Sequence, residues 1–412
     1  MAKSRKDSRG YALRSGECQR KDGRYSFSYT DREHRRHSIY AKDLASLRAK
    51  ERKIIRDIED GLDPNLAERI SVNQLYDRYM DQKYDLKETT KANYLYTYNH
   101  FVRDNFGKRK VASIHYTDVK KYYYSFLLEQ GIKPATLDNI HTQLHPAFQM
   151  AVRDGIIRVN PTDGVMAEIK KSHIWEKNKR RALTVPQQKA FMKHLYENKD
   201  FLGWRPIITI LLGTGMRIGE CLGLTWDDLD FENRTISVNH NLVYRRIEGE
   251  GAPGMIKHIN TPKTAAGCRT IPMLQDVYDA FLEEYQFQKI TGFCEEEING
   301  YSGFVFSSAA RTVTIPEDVN RAIARIRDSY NAQEEREAKE EGRTPNLLPA
   351  FSAHHLRHTF CTRFCENETN LKVIQSIMGH ADITTTMDIY AEATEEKKQE
   401  IVANLENKIL IK

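Results

Sequence analysis

A helical period in the apolar residues is the feature that most constrains the fold of this chain. From Val72 to about Gly164, apolar side chains recur at three- and four-residue intervals, as at Leu75 and Tyr79. This spacing gathers them on one face of each helix and leaves the opposite face polar. The pattern predicts an all-α domain over 70–165, with its aromatic residues in the core rather than stacked on nucleic-acid bases.

A two-residue period marks the beginning of the chain. Tyr25, Phe27 and Tyr29 alternate with polar residues, which predicts a strand with one apolar face. A helix is expected from about residue 44 to residue 60, where turn-forming residues follow. Residues 1–65 therefore predict a separate module with a small sheet, which we call the amino-terminal module.

Positive charge is concentrated in this module. Residues 1–50 contain 14 Lys and Arg against 6 Asp and Glu, a net charge of +8, while the other 49 basic and 51 acidic residues sum to −2. A basic arm on a near-neutral body favours binding of a polyanion, although an ordinary solvated surface is the alternative from charge alone. A strand face would enter a DNA groove while cations hold phosphates. The cations assigned to this contact are Arg14, Arg20, Lys21 and Arg24.

A basic stretch follows the helical domain. We predict that residues 166–182 form a linker that tracks a DNA backbone between two domains. Between residues 170 and 181 only Glu176 opposes the cations. Those assigned to DNA contact are Lys170, Lys171, Lys179, Arg180 and Arg181.

The pattern of a further domain begins near Leu183. Thr184 with Gln187 three residues later is a capping-box signature for a helix. Helices dominate this region, but short alternating segments between residues 235 and 273 predict a small antiparallel sheet. Residues 331–343 are nearly all charged or small, which favours a solvated helix extension or loop. The fold class expected for the whole chain is α+β with several domains.

Composition narrows the class of protein. There is no run of about 18 apolar residues and no leader with charged, apolar and small-residue parts, so we expect a cytoplasmic protein without membrane contact. The six cysteines include no CxxC pair, which is typical of free thiols rather than a disulfide scaffold.

Four separated clusters hold the residues suited to chemistry on a phosphodiester. In chain order they are Gly213 to Glu220, Thr261 to Thr264, His354 to His358, and Gly379-His380 followed by Tyr390. In this order and spacing they resemble the tyrosine recombinase, or phage integrase, family, and more closely the integrases of conjugative transposons. The resemblance implies an arm-binding domain at 1–65, a core-binding domain at 70–165 and a catalytic domain at 183–394.

Cleavage of a phosphodiester needs an in-line nucleophile, positive charge around phosphorus and a proton for the leaving oxygen. The resemblance implies that Arg217 and Arg357 bind the non-bridging oxygens, because a planar guanidinium offers paired donors where lysine offers a point charge. His354 lies three residues before Arg357, so both share a helix face. The family assigns His354 a hydrogen bond to the phosphate and acceptance of the tyrosine proton, and leaves His355 and His358 structural.

The remaining roles also follow from the resemblance. Lys263, expected at the tip of a hairpin, is the general acid for the leaving 5′ oxygen, with a solvated lysine as the alternative because Lys257 is nearby. His380 is expected to hydrogen-bond the phosphate. Tyr390, ten residues later where many family members have nine, is the nucleophile that forms a 3′-phosphotyrosine, a step reversible without ATP. No metal or other cofactor is expected, because arginines and lysine supply the positive charge.

The expected partners are double-stranded DNA at core and arm sites, further copies of the chain in a homotetramer on DNA, and an excisionase or DNA-bending protein. Association with the bacterial nucleoid would follow from DNA binding. In the tail 395–412, Ile401, Leu405 and Ile409 lie four apart, an apolar stripe suited to a neighbouring subunit or to its own domain. The segment 245–256 is interpreted as an added β-element that shapes DNA near the cut.

Three alternatives remain open from the sequence. One is a type IB topoisomerase, which relaxes DNA with the same kind of site, and another is a DNA-binding regulator with a degenerate site. The third is a zinc cluster, since thiolates and imidazoles at these spacings suit zinc. Its ligands would be His354, His355, His358, Cys361 and Cys365.

Overall fold

A computed structural model gives the structure of this protein and describes residues 5–30, 34–86, 88–175, 182–247, 254–261 and 267–391. The chain forms two compact units, Met1–Asn178 and Lys179–Lys412. No helix within the described ranges is long and apolar enough to cross a membrane.

Three antiparallel strands form the sheet of the amino-terminal module. They are β1 (Glu17–Gln19), β2 (Tyr25–Thr30) and β3 (Arg36–Ala41), in the order β1-β2-β3, followed by helix α1 (Leu44–Glu59). Tyr25 and Phe27 are buried on one face, as their alternation predicts, and form an apolar cluster with Leu47 of α1. The opposite face is polar, and on it the hydroxyls of Ser28 and Ser38 hydrogen-bond at 2.8 Å.

The helical pattern after residue 62 produces six α-helices among the described residues of the first unit. They are α2 (Pro64–Arg69), α3 (Val72–Asp81), α4 (Glu88–Tyr98), α5 (Tyr116–Leu128), α6 (Pro134–Arg153) and α7 (Val165–Lys171), with a π-helical turn at Asn99–Arg103 and 3-10 turns at Phe106–Lys108 and Val111–Ser113. Tyr76, Tyr123 and Phe148 are completely buried. This confirms that these aromatic residues form the core and are not exposed for base stacking.

The predicted linker 166–182 begins as part of a helix that belongs to the helical domain, α7 (Val165–Lys171). Val165 and Ile169 of α7 are completely buried in the core of the helical domain. The prediction is wrong for residues 166–171, because apolar side chains at helical spacing anchor this stretch. Lys170 and Lys171 are exposed at the end of α7.

The second unit contains the remaining helices that the structure describes. They are α8 (Val185–Glu197), α9 (Arg205–Thr214), α10 (Ile218–Gly223), α11 (Gln275–Thr291), α12 (Pro316–Glu341), α13 (Ala353–Asn367), α14 (Leu371–Met378) and a helix at 383–391, with 3-10 turns at Lys199–Trp204 and Trp226–Asp228. Thr184 caps α8 through the predicted box. Its Oγ1 accepts from the Gln187 N–H at 3.4 Å, and its own N–H donates to Gln187 Oε1 at 3.0 Å. The charged stretch beginning at residue 331 is a helix extension, as expected, and α12 ends before Gly342 in the left-handed region.

In the described part of the second unit, five strands form two small antiparallel sheets. They are β4 (Leu229–Asp230), β5 (Thr235–Val238), β6 (Asn241–Ile247), β7 (Gly254–Asn260) and β8 (Arg269–Pro272), with pairing orders β4-β5-β8 and β6-β7. The strands on either side of the expected hairpin do not pair with each other, because β7 pairs with β6 while β8 pairs with β5. Lys263 itself lies outside the described residues. The pairing of β5 with β8 places Ile236 opposite Ile271, and both are buried.

Candidate active site

Arg217 lies at the junction between two helices. The buried helix α9 ends at Gly215, whose φ is 64°, and a Cβ there would lie 2.4 Å from Phe360 Cδ1, so glycine is required by both conformation and space. The turn makes Arg217 the N-cap of α10. Its Nη1 donates to Glu220 Oε1 at 2.7 Å and its Nη2 to the Gly379 carbonyl at 3.1 Å. The side chain is thus fixed at one end while 44% of its surface remains exposed.

Arg357 is held more deeply, on helix α13. It is only 4% exposed, and it donates to the carbonyls of Gly215 at 2.7 Å and Met378 at 2.6 Å. Burial, followed by the charge of Arg217, lowers the pKa of Arg357 to about 10. Arg357 therefore remains a cation at neutral pH, and its charge is confined to a fixed position.

The histidines of α13 differ in exposure. His354, in the first turn, is exposed, while His355 and His358 are half-buried. Ser352 is the N-cap of α13, and its backbone N–H donates to His355 Nδ1 at 3.2 Å. This contact gives His355 a structural role in the cap and leaves His354 at the surface beside the helix N-terminus.

His380 is buried behind the two arginines. Its Nδ1 lies 2.9 Å from Thr386 Oγ1, and its carbonyl accepts a hydrogen bond from the Gln375 amide at 3.0 Å. Burial, followed by the charges of Arg357 and Arg217, lowers the pKa of His380 to about 4. The imidazole is therefore neutral at pH 7.

Tyr390 lies on the helix at 383–391 and is half-buried. It packs against the apolar cluster that contains Cys361 and Cys365 of α13 and Met378 of α14. Helix α13, which carries Arg357, and helix α14, whose Met378 carbonyl accepts a hydrogen bond from Arg357, thus also pack against Tyr390. Lys263 lies outside the described residues, as do Lys179, Arg180, Arg181 and the tail 395–412.

Two buried residues complete this arrangement, and the sequence assigned neither a role. Arg269, at the start of β8, donates from Nη2 to Glu220 Oε2 at 2.7 Å and from Nη1 to Oε1 at 3.2 Å. Although burial opposes ionisation, Arg269 and Arg217 lower the pKa of Glu220 to about 2. The i,i+3 spacing of Arg217 and Glu220 on α10 is the one sequence signal for this carboxylate; Arg269 has none.

The end of α14 gathers all three arginines. Arg269 Nε donates to the Ile377 carbonyl at 2.7 Å, Arg357 to Met378, and Arg217 to Gly379. These consecutive carbonyls lie at a helix C-terminus, where the unpaired C=O groups carry partial negative charge and favour cations. We call them the carbonyl triad.

The described residues contain no group of three or more His, Cys, Asp or Glu side chains arranged to hold a metal ion. Cys361 and Cys365 are instead buried beside Ile374 and Met378. The zinc reading therefore has no support in this part of the chain, because its two thiols face an apolar interior.

The four cations of the amino-terminal module that were assigned to DNA contact are exposed. Arg20, Lys21 and Arg24 lie in the turn between β1 and β2, where Asp22 pairs with Arg24 at 2.8 Å, and Arg14 precedes β1. On α7, Lys170 forms an ion pair with Asp138 at 2.8 Å. Pairing with carboxylates reduces the positive charge that Arg24 and Lys170 present.

The chain is similar to known proteins over nearly its whole length. The sequence pattern described as the phage integrase family matches residues 181–397, and that of the DNA-binding domain of Tn916 integrase matches residues 1–58. The transposase from transposon Tn916 of Enterococcus faecalis is 32% identical over 407 residues, which cover 96% of this chain and 95% of that protein. The ICEBs1 integrase of Bacillus subtilis is 24% identical over 331 residues, covering 78% and 79% of the two chains.

The chain is also similar to integrases of known structure. The Tn1549 transposon integrase in complex with transposon right end DNA is 30% identical, with a TM-score of 0.68, over 81% of this chain and 100% of that one. A lambda integrase tetramer bound to a Holliday junction is 17% identical, with a TM-score of 0.52, over 91% and 94%, a likeness that concerns the fold alone.

Proposed function

Because this chain belongs to the phage integrase family and is a tyrosine recombinase that cuts and rejoins DNA, we propose that Tyr390 is its nucleophile and that Arg217 and Arg357 hold the scissile phosphate. The observation that carries this assignment is the carbonyl triad, which holds both guanidinium groups at adjacent backbone positions. Two fixed cations side by side suit a phosphate with two charged non-bridging oxygens.

The roles of the other residues follow from their surroundings. Neutral His380, with Nδ1 beside Thr386, offers its other ring nitrogen to a phosphate oxygen. Exposed His354 contacts the same phosphate from the first turn of α13 and accepts the tyrosine proton. Lys263 protonates the leaving 5′ oxygen, and the attack of Tyr390 forms a 3′-phosphotyrosine that a 5′ hydroxyl later reverses.

The DNA contacts are proposed from charge and exposure. The polar face of the β1–β3 sheet enters a groove at the arm sites, with Arg14, Arg20, Lys21 and Arg24 on phosphates. Lys170, Lys171, Lys179, Arg180 and Arg181 follow the backbone at the core site. The hairpin of β6 and β7, which includes the segment 245–256, shapes DNA near the cut.

The substrates are proposed from the relatives. Tn1549 integrase has been solved with transposon right end DNA and with circular intermediate DNA. We expect this chain to act on the ends of a conjugative transposon and on its circular form in the bacterial cytoplasm, at the nucleoid. An excisionase or DNA-bending protein would select excision over integration.

Strand exchange is proposed to need a homotetramer held together by the tail 395–412. An apolar groove of about 950 Å³ in the second unit offers a place for the stripe of Ile401, Leu405 and Ile409 of a neighbouring copy. Its apolar lining includes Met192, Leu212, Leu274, Phe360, Phe364 and Ile377. Burial of three aliphatic side chains in such a groove would stabilise the assembly.

A covalent-trap assay tests the nucleophile. Nicked duplexes with the transposon end junctions are incubated with wild type and with Tyr390→Phe, and the products are separated on a denaturing gel. We expect a protein–DNA adduct with the wild type that is absent with the variant. An adduct that persists in Tyr390→Phe would refute the assignment, and no wild-type adduct with DNA binding intact would favour a regulator with a degenerate site.

A further inference from the structure

We propose that Arg269 is a positioning residue for DNA cleavage, acting through Glu220 and through the carbonyl triad on Arg217. This inference rests on the proposed role of Arg217. The proposed mechanism assigns Arg269 no reacting role. It is a buried guanidinium that joins three segments distant in sequence: helix α10, strand β8 and the end of α14.

The first step is the burial of the pair. The side chains of Arg269 and Glu220 are 4% and 8% exposed, and two hydrogen bonds connect them. A buried carboxylate with a missing partner is strongly unfavourable, so Glu220 needs a cation in the fold. Arg269 supplies that cation, and Arg217 is the second cation within reach.

The second step concerns competition for Arg217. Glu220 Oε1 accepts from both Arg217 Nη1 and Arg269 Nη1. Without Arg269, the carboxylate would be balanced by Arg217 alone and would draw this guanidinium toward the protein and away from a phosphate. Because Arg269 balances part of the negative charge of Glu220, Glu220 attracts the Arg217 guanidinium less strongly.

The third step concerns the carbonyl triad. Arg269 Nε holds the Ile377 carbonyl, the first of the three. Its guanidinium also lies against Gly379, where an added Cβ would be 2.8 Å from Arg269 Nη1. The residue thus fixes both ends of the short backbone stretch that bonds Arg357 and Arg217 and precedes His380.

The test compares Arg269→Gln and Arg269→Lys with the wild type in single-turnover formation of the Tyr390–DNA adduct. Arg343→Gln is the matched control, because Arg343 also pairs with a buried carboxylate, Glu334, but elsewhere in the same unit. DNA affinity and thermal unfolding are measured on each variant. Loss of a residue that orients a functional group typically costs about 10- to 100-fold. We expect slowing of this size for Arg269→Gln, with DNA affinity unchanged, and none for Arg343→Gln.

A modified substrate separates positioning from a structural role. When a methyl group replaces one non-bridging oxygen of the scissile phosphate, the phosphate loses its negative charge. Cleavage then depends less on the correct position of Arg217. The penalty of Arg269→Gln should then shrink severalfold, and Arg269→Gln combined with Glu220→Gln should cleave no more slowly than Arg269→Gln alone.

Three results would overturn the proposal. Wild-type cleavage rates in both Arg269 variants would do so, as would equal losses on both substrates. A loss of DNA affinity as large as the loss of cleavage would also count against it. If Arg269→Gln does not fold, Arg269→Lys, which keeps the charge and loses the paired bonds, decides between these outcomes. A wild type without adduct refutes the proposed function instead, which distinguishes the two failures.

Discussion

Arg217 and Arg357, from different helices, donate hydrogen bonds to the carbonyls of two consecutive residues, Gly379 and Met378. The backbone at the end of α14 therefore sets the spacing between the two guanidinium groups. The Arg217 side chain is 44% exposed and Arg357 is buried, so of the two only Arg217 is broadly accessible from solvent at the proposed phosphate site.

Arg217→Lys should abolish most cleavage although it preserves the charge. Lysine presents one ammonium group and cannot bond Glu220, Gly379 and a phosphate with a planar fork. Loss of one preorganised donor typically slows a reaction by about 10²- to 10³-fold. Single-turnover adduct formation measures this, with Arg234→Lys, an exposed arginine over the Tyr278 ring, as control. Cleavage by Arg217→Lys at the control's rate would exclude a special role for the guanidinium.

Glu220→Gln should destabilise the second unit, because it leaves the buried Arg269 and Arg357 with less compensating charge. Breaking a buried pair by removing one partner typically costs about 3–5 kcal/mol, and the retained amide oxygen should bring the loss to the lower end. Urea unfolding of the whole chain, followed by tryptophan fluorescence, measures the change. Glu295→Gln is the control, because its pair with Arg311 is largely exposed and should contribute less than about 1 kcal/mol. Equal effects of the two substitutions would contradict the buried-charge account.

The stability of the second unit should fall with acidification between pH 6.5 and pH 4. The pKa of His380 is lowered to about 4 in the folded chain, so the unfolded chain binds more protons in this window. Stability from this group is fully present above the unfolded pKa of about 6.5 and is lost as pH falls toward 4. Thermal unfolding at pH 7 and pH 5 should show a drop that is smaller in His380→Asn by on the order of 2–4 °C. The same drop in both proteins would exclude His380 as the source.

Substitution of the turn cations should weaken arm-site binding without slowing cleavage at the core site. Arg20→Ala or Lys21→Ala removes a proposed phosphate contact, so the slope of log affinity against log salt should fall by about 1 for each. Binding is measured on arm-site DNA at several salt concentrations. Lys53, an exposed lysine of α1, is not among the proposed phosphate contacts, so Lys53→Ala should leave the slope unchanged. A slope unaffected by Arg20→Ala and Lys21→Ala would refute the assigned contacts.

Deletion of residues 395–412 should reduce multi-subunit assembly on DNA more than binding of a single subunit. Leu274→Asp should have the same effect, because Leu274 lines the proposed groove and is exposed. Ile290→Asp, on an exposed site of α11 outside the groove, is the control. Mass photometry of the DNA complexes measures both the binding of a single subunit and the assembly of several subunits. Unchanged assembly after the deletion would remove the tail from the interface.

The order of the elements was readable from the sequence because it depends on local patterns. Alternation at Tyr25 and Phe27 produced a strand, and the capping box at Thr184 started a helix, since both signals act over a few neighbouring residues. The prediction of a linker was wrong at α7, because apolar residues at helical spacing extend the helical domain up to Lys170 and Lys171. Strand pairing was also misjudged at β8, because a sequence shows which segments are strands but not which partner buries them best.

For the site, the sequence by itself determined which candidate residues are present and in which order. Arg217, Arg357, His380 and Tyr390 could be found because a motif consists of side-chain types, which a sequence states directly. Only the tertiary structure revealed the carbonyl triad and Arg269. Backbone carbonyls are the same in every residue and leave no mark in a sequence, and the partner of a buried guanidinium depends on which distant segments the fold brings together.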